Sequence, residues 1–264
     1  MPTRITSRQN AIVAKFRAVA HGEIPGLLLL DGVHLVQDAL AAGLEFEQVA
    51  VDVGAEERGD IKRLVAALHA KAVQTVTATA PVMGAISPVR TPTGIVAIAR
   101  RRERDVADFY KGPSPLVVIA SDIQDPGNLG AIVRVAEAGG ASGVLATGQS
   151  ADPFGWKALR GSMGSILRFP VDRVDDVSLA VSEARKRGCR IVATVPRDGR
   201  SLFDANLKGS VAVLIGGEGP GLPDALVAAA DERITIPMAA PVESLNAAVT
   251  AALVIYEARR QRKS

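Results

Sequence analysis

Asn128 and Arg134 stand six residues apart in a stretch that is otherwise small and apolar, just after the buried-strand pattern LVVIAS at 116–121. The stretch opens Asp125-Pro126-Gly127-Asn128-Leu129-Gly130 and passes from strand into helix. Its polar side chains therefore belong at the carboxyl edge of a sheet, where open α/β folds bind ligands. An arginine among Ile132, Val133, Val135 and Ala136 needs a partner if it is buried, because an unpaired buried charge is costly. A phosphate or carboxylate supplies one. A surface arginine with its stem along apolar neighbours needs none, and both readings stay open for Arg134.

A second stretch, Gly216-Gly217-Glu218-Gly219-Pro220-Gly221-Leu222-Pro223, follows the strand pattern VAVLI. Glycine at this density lets backbone approach a ligand closely. Glu218 puts a negative charge where a pyrophosphate would sit, and Pro220 removes an N–H donor there. No acidic residue follows at the distance a dinucleotide fold uses. These features tell against a nucleotide-dependent dehydrogenase and favour a neutral or cationic ligand. A third stretch runs from Ile236 through Pro237, Met238 and Pro241 into a long helix expected from Ser244. Ser244 reads first as an N-cap. Asn246 lies beside small residues at a helix N-terminus, where free N–H groups and the positive dipole end suit an anion.

Stepping along the chain, alternating strand and helix patterns fill residues 1–104, with helices expected near 7–20, 33–42, 56–70 and 80–86. Strands are expected at 27–30, 46–53, 72–77 and 94–99. The charged run at 100–115 ends Gly112-Pro113-Ser114-Pro115 and reads as a linker, its Arg100, Arg101, Arg102 and Arg104 either solvated or phosphate-binding. Further strands are expected at 116–121, 143–147, 190–195 and 211–216, with helices near 128–139, 175–187, 223–230 and 244–262. Such continuous apolar strands imply a parallel sheet covered on both faces.

Cys189 is the only cysteine, which excludes an intramolecular disulfide and a cysteine-rich metal site. The histidines, His21, His34 and His69, lack metal-ligand spacing, and no nucleophilic triad is visible around Ser244. Aromatic residues make up only 3% of the chain, too few for a reader that stacks single-stranded bases. No apolar run reaches membrane-span length and the N-terminus lacks a signal-peptide core, so a soluble, cytoplasmic protein is expected, with no membrane partner. The net charge of +3 comes from residues 1–104, compatible with a polyanionic partner.

Taken together, Asn128-Leu129-Gly130 with Arg134, Leu214 through Leu222, and Ile236-Pro237-Met238 with Glu243-Ser244-Leu245-Asn246 resemble the SpoU (TrmH-like) branch of the SPOUT RNA methyltransferases. The first half, with its SRQN start and LLLLDGVHLVQDAL, resembles the L30e-like substrate-binding domain that many members carry. The resemblance implies an α/β fold: an L30e-like domain at 1–104, a linker at 105–115, and a SPOUT catalytic domain at 116–264 with a parallel sheet and a deep C-terminal trefoil knot. It implies S-adenosylmethionine as cofactor, structured RNA as partner and a homodimer. Residue by residue, it implies functional polar roles for Asn128, Arg134, Glu218, Ser244 and Asn246. It places Leu214, Gly217, Glu218, Ile236, Met238 and Leu245 on the cofactor wall. Ala240 departs from the glycine that many members have there, and is tolerable if its φ is negative.

The reaction so implied is attack of a ribose 2′-oxygen on the sulfonium methyl, driven by positioning and by stabilising the developing oxyanion. A guanidinium stays protonated, so Arg134 is expected as a phosphate clamp and electrostatic stabiliser, with Ser244 and Asn246 orienting the hydroxyl or Arg134. The N-terminal extension favours large-subunit (23S) rRNA over tRNA. A non-catalytic ribosome-assembly protein of the same fold is the alternative from another class.

Overall fold

A computed structural model describes residues 3–219 and 221–263. They form two compact units, Met1–Glu103 with Phe154–Arg168, and Arg104–Pro153 with Phe169–Ser264.

The first unit contains strands β1 (Arg4–Ile5), β2 (Leu27–Asp31), β3 (Phe46–Asp52), β4 (Thr75–Ala78) and β5 (Ile95–Arg100). Its first four helices are α1 (Ala11–Ala20), α2 (Val33–Ala41), α3 (Gly59–Ala70) and α4 (Ala80–Ile86). The strands lie in the order β1-β4-β3-β5-β2, with β5 antiparallel to β2 and β3, and β4 parallel to β1 and β3. Asn10 starts α1 by accepting from the Ile12 N–H at 2.9 Å, which is why the helix begins after the expected position 7. Val13, Phe16 and Val19 then fall on one buried face. Removing Phe16 from water contributes about 2–3 kcal/mol to that core.

The second unit contains β6 (Leu116–Ser121), α5 (Pro126–Gly139), β7 (Gly143–Thr147), and, after an excursion described below, β8 (Val171–Val174). Then come α8 (Val177–Lys186), β9 (Arg190–Thr194), β10 (Arg200–Ser201), β11 (Val211–Gly216), α9 (Asp224–Ala229), β12 (Glu232–Thr235) and α10 (Ala247–Lys263). All seven strands are parallel, in the order β10-β12-β9-β11-β6-β7-β8. Every residue of β6 is buried, as its unbroken apolar sequence requires. From β6 the chain winds outward through β7 and β8, then returns to the other side at β9. That reversal opens a crevice at the strands' carboxyl ends. Helices α5 and α10 pack closely because Gly139 has no Cβ; one added there would lie 2.2 Å from Ile255 Cγ2.

Two expected features differ. The stretch 105–115 is not a bare linker: Val106–Tyr110 forms a 3₁₀ turn with a reciprocal Asp105–Asp108 capping box, and Phe109 is buried against Gly143. Residues 154–168 leave the span expected for a continuous catalytic domain. They carry α6 (Trp156–Gly161) and α7 (Ser165–Arg168) and belong to the first unit, where Trp156 packs against the cluster containing Phe16, Val82 and Ile98.

Candidate active site

Three loops at the carboxyl edge of the second unit's sheet bring the motifs together. In the loop after β6, Asp125 Oδ1 accepts from the Asn128 N–H at 2.7 Å and caps α5, while Pro126 occupies its first turn. Asn128 is thereby fixed, and its Nδ2 donates to Glu218 Oε1 at 2.5 Å.

Glu218 sits in the glycine loop after β11. Gly217 is obligatory there: a Cβ would lie 1.9 Å from the Asp122 carbonyl oxygen. Gly216 is equally constrained, its Cβ position 2.6 Å from the Leu222 nitrogen. Gly219 and Gly221 have φ of +94° and +72°, and Gly217 bridges to Gly221, closing the loop. Pro220 lies outside the described residues.

The third loop precedes α10. That helix starts at Ala247 rather than Ser244, and its cap is Asn246, whose Oδ1 accepts from Ala248 N at 2.9 Å and Val249 N at 3.4 Å. Capping through Oδ1 fixes which way the amide points. Nδ2 is then turned to donate to Asn128 Oδ1 at 3.1 Å and Glu218 Oε1 at 3.5 Å. Asn128, Glu218 and Asn246 form a closed triangle from three separate motifs, with Glu218 Oε1 taking both amides.

Beside the triangle lies a cleft of about 480 Å³, lined by Gly217, Glu218, Ile236, Met238, Ser244, Leu245 and Asn246 among others. That volume falls in the range of small-molecule sites. Thr194, Asp224 and Thr250 also line it and were not singled out by motif, because each is a common residue in an unremarkable sequence context. Ala240 does not have a positive φ, so no glycine is needed there, and the Ala240–Pro241 peptide is cis.

Two expected residues are placed elsewhere. Leu214 is fully buried in the core beneath the sheet edge; its carbonyl accepts from Thr194 Oγ1 at 2.9 Å, but its side chain is not on the cleft wall. Arg134 is exposed rather than buried among its apolar neighbours, so the cost of an unpaired buried charge does not arise. Six residues beyond Asn128, it points about 120° away around the axis of α5. It has no partner among the described residues and does not join the triangle. Among the described residues no group of acidic, histidine or cysteine side chains could hold a metal ion.

The fold and the three-loop site define a SpoU-type protein. The SpoU rRNA Methylase family matches residues 115–256, and the chain belongs to that family. Along nearly its whole length it is similar to an uncharacterized tRNA/rRNA methyltransferase of Synechocystis sp., 32% identical over 98% of this chain and 94% of the relative. It is 30% identical to the 23S rRNA (guanosine(2553)-2′-O)-methyltransferase RlmP of Bacillus subtilis, over 88% of each chain. The crystal structure of the SpoU methyltransferase AviRb from Streptomyces viridochromogenes in complex with AdoMet matches with a TM-score of 0.86 and 28% identity, over 97% of this chain and 99% of that one.

Proposed function

We propose that this protein transfers a methyl group from S-adenosylmethionine to a ribose 2′-hydroxyl in structured RNA, with large-subunit (23S) rRNA as the substrate. The observation that carries the reading is the Asn128–Glu218–Asn246 triangle at the edge of a cleft walled by glycine backbone, apolar side chains and a carboxylate. A wall of this kind suits a cationic sulfonium and the apolar face of an adenine ring better than a pyrophosphate. Ile236, Met238, Leu245 and the backbone at Gly217 would hold the cofactor. When bound, S-adenosylmethionine supplies a methyl group on a positively charged sulfur, open to in-line attack.

The chain's own residues then position and deprotonate. Both amides hold Glu218 Oε1, which leaves Oε2 without a partner among the described residues and available to take the hydroxyl proton. Ser244, exposed on the cleft, and Asn246 orient the hydroxyl. Arg134, permanently charged and without a partner among the described residues, clamps a phosphate of the RNA.

The first unit is read as the L30e-like RNA-binding domain, and the segment from β11 to α10 as the knotted part of a SPOUT fold. The exposed stripe Val249, Leu253 and Tyr256 on α10, 46%, 39% and 51% exposed, is read as a homodimer interface. No helix of the described residues is long and apolar enough to cross a membrane, and an RNA substrate fits a cytoplasmic protein. Similarity to a 23S rRNA methyltransferase and to a tRNA/rRNA methyltransferase supports rRNA and leaves tRNA as the second substrate to test.

Mapping 2′-O-methylation in host rRNA and tRNA with and without the protein tests the substrate; loss of a site in tRNA alone would reverse the assignment. Glu218→Gln is expected to lower kcat at least about a hundredfold, the usual scale of a lost general base, and to weaken calorimetric cofactor binding by a smaller factor, because the carboxylate also faces the cationic cofactor. Wild-type protein that binds no S-adenosylmethionine would favour the non-catalytic assembly role.

A further inference from the structure

Asp122, in the loop after β6, touches both the loop after β7 and the glycine loop after β11, and neither motif nor family resemblance singles it out. It follows β6 with φ of +59°, a left-handed conformation that Asp and Asn adopt more readily than other side chains. On one side its carboxylate holds the loop after β7, Oδ1 accepting from the Gln149 N–H at 2.8 Å, while Oδ2 accepts from Ser121 Oγ at the end of β6 at 3.1 Å. The same seam is continued by Ile123 N donating to Ser150 Oγ at 3.0 Å and by Ala151 N donating to the Ile123 carbonyl at 2.9 Å. Arg173 braces that loop from behind through the carbonyls of Gly148 and Ser150. On the other side, the left-handed turn swings the Asp122 carbonyl against Gly217, so closely that no side chain fits there.

We infer that Asp122 is a positioning residue, setting the height of the Gly217–Glu218 backbone relative to Asn128 and so closing the triangle. The next residue after Gly217 is the carboxylate, and Asn128 is in the first turn of α5, the helix into which the loop of Asp122 leads. One backbone conformation therefore fixes both the loop that delivers Glu218 and the helix that receives it. A shift of about 1 Å in such an arrangement is enough to cost on the order of a hundredfold in rate. This inference rests on the proposed methyl transfer for its kinetic readout, but not for its structural one.

Three variants separate the backbone from the carboxylate. Asp122→Asn keeps left-handed tolerance and an acceptor for Gln149. Asp122→Gly keeps the conformation and loses the acceptor. Asp122→Val loses both, since a β-branched residue is strained at positive φ. Ala72→Val is the control: Ala72 has φ of +57° in the first unit, so it imposes the same strain away from the site. Hydrogen exchange of peptides covering 147–151 and 216–222 is expected to accelerate at least tenfold in Asp122→Val and to stay near wild type in Asp122→Asn and Ala72→Val. In single-turnover methylation, Asp122→Val is expected to lose about a hundredfold in rate with the RNA KM little changed, Asp122→Asn to restore it, and Asp122→Gly to fall between.

Exchange that accelerates only at 147–151 would overturn the inference, because Asp122 would then order its own side of the sheet alone. A rate loss in Asp122→Val no greater than in Ala72→Val at equal thermal destabilisation would overturn it too. Wild-type protein inactive on every RNA would instead count against the proposed function and leave the exchange result standing.

Discussion

Arg262, in the last turn of α10, donates to three backbone carbonyls: Nε to Leu207 at 2.9 Å, Nη1 to Ser114 at 2.8 Å and Nη2 to Gly209 at 2.7 Å. Burial pushes its guanidinium below the ordinary arginine value, so the charge is paired here by carbonyl dipoles rather than by a carboxylate. Hydrogen bonds to a charged group contribute about 1.5–3 kcal/mol each when well buried. Two of the three lie at the exposed edge, where water competes, so Arg262→Met is expected to cost roughly 2–4 kcal/mol in all. In a unit of this size each kcal/mol moves the melting midpoint by about 2–4 °C, giving a drop of roughly 5–15 °C. A lysine reaches one carbonyl at a time and lacks the planar fork, so Arg262→Lys is expected to recover less than half of the loss. Calorimetric melts of the three proteins, with urea titrations for the free energies, measure this. A loss under about 1 kcal/mol in the methionine variant would refute the reasoning, as would full recovery with lysine; either would mean that water satisfies those carbonyls equally well.

Gly217→Ala pushes a methyl into the Asp122 carbonyl and is expected to abolish calorimetric S-adenosylmethionine binding while the first unit stays folded by circular dichroism. Asn246→Ala removes a helix cap and two amide bonds at once: a loss of about 1–2 kcal/mol in stability should accompany a methylation defect far larger than that destabilisation explains. Burial pushes the Tyr110 phenol up to about 12, so the folded state holds that proton more tightly than the unfolded chain. The stabilisation is complete below the ordinary phenol value of about 10 and is lost as pH rises from there through the folded value. Tyr110→Phe is expected to flatten that alkaline limb of a stability–pH curve.

The apolar strands were plain in the sequence because full burial on both sheet faces leaves no polar position to confuse them; 116–121, 143–147 and 211–216 are the strands found. β8, β10 and β12 were missed since VDRV, RS and ERIT are short and carry charges on exposed or partly exposed positions, with only Val171 and Ile234 fully buried to mark them. At the site, the polar residues of Asn128, Glu218 and Asn246 could be picked out by type, but their mutual bonds span 90 and 118 residues and follow only from the strand order. Ser244 looked like the cap because serine ordinarily is one; Asn246 takes that place because its amide serves two purposes. Arg134 admits two readings from its neighbours' hydropathy, a partnered buried charge or a surface arginine, and the helix turns it to solvent. Asp122 left no trace, because a left-handed φ at an aspartate has no signature in sequence.

The passage of residues 154–168 into the first unit bears on how such a gene can be cut or recombined. A fragment ending at Glu103 would encode a sheet without α6, leaving the apolar surface covered by Trp156 open to water and prone to association. A fragment starting at Arg104 would carry a displaced fifteen-residue insert with nothing to fold upon. The two halves are therefore inherited together: a recombination that exchanges the substrate-binding half must bring its own matching 154–168, and libraries that graft one family member's first half onto another should carry that segment with it.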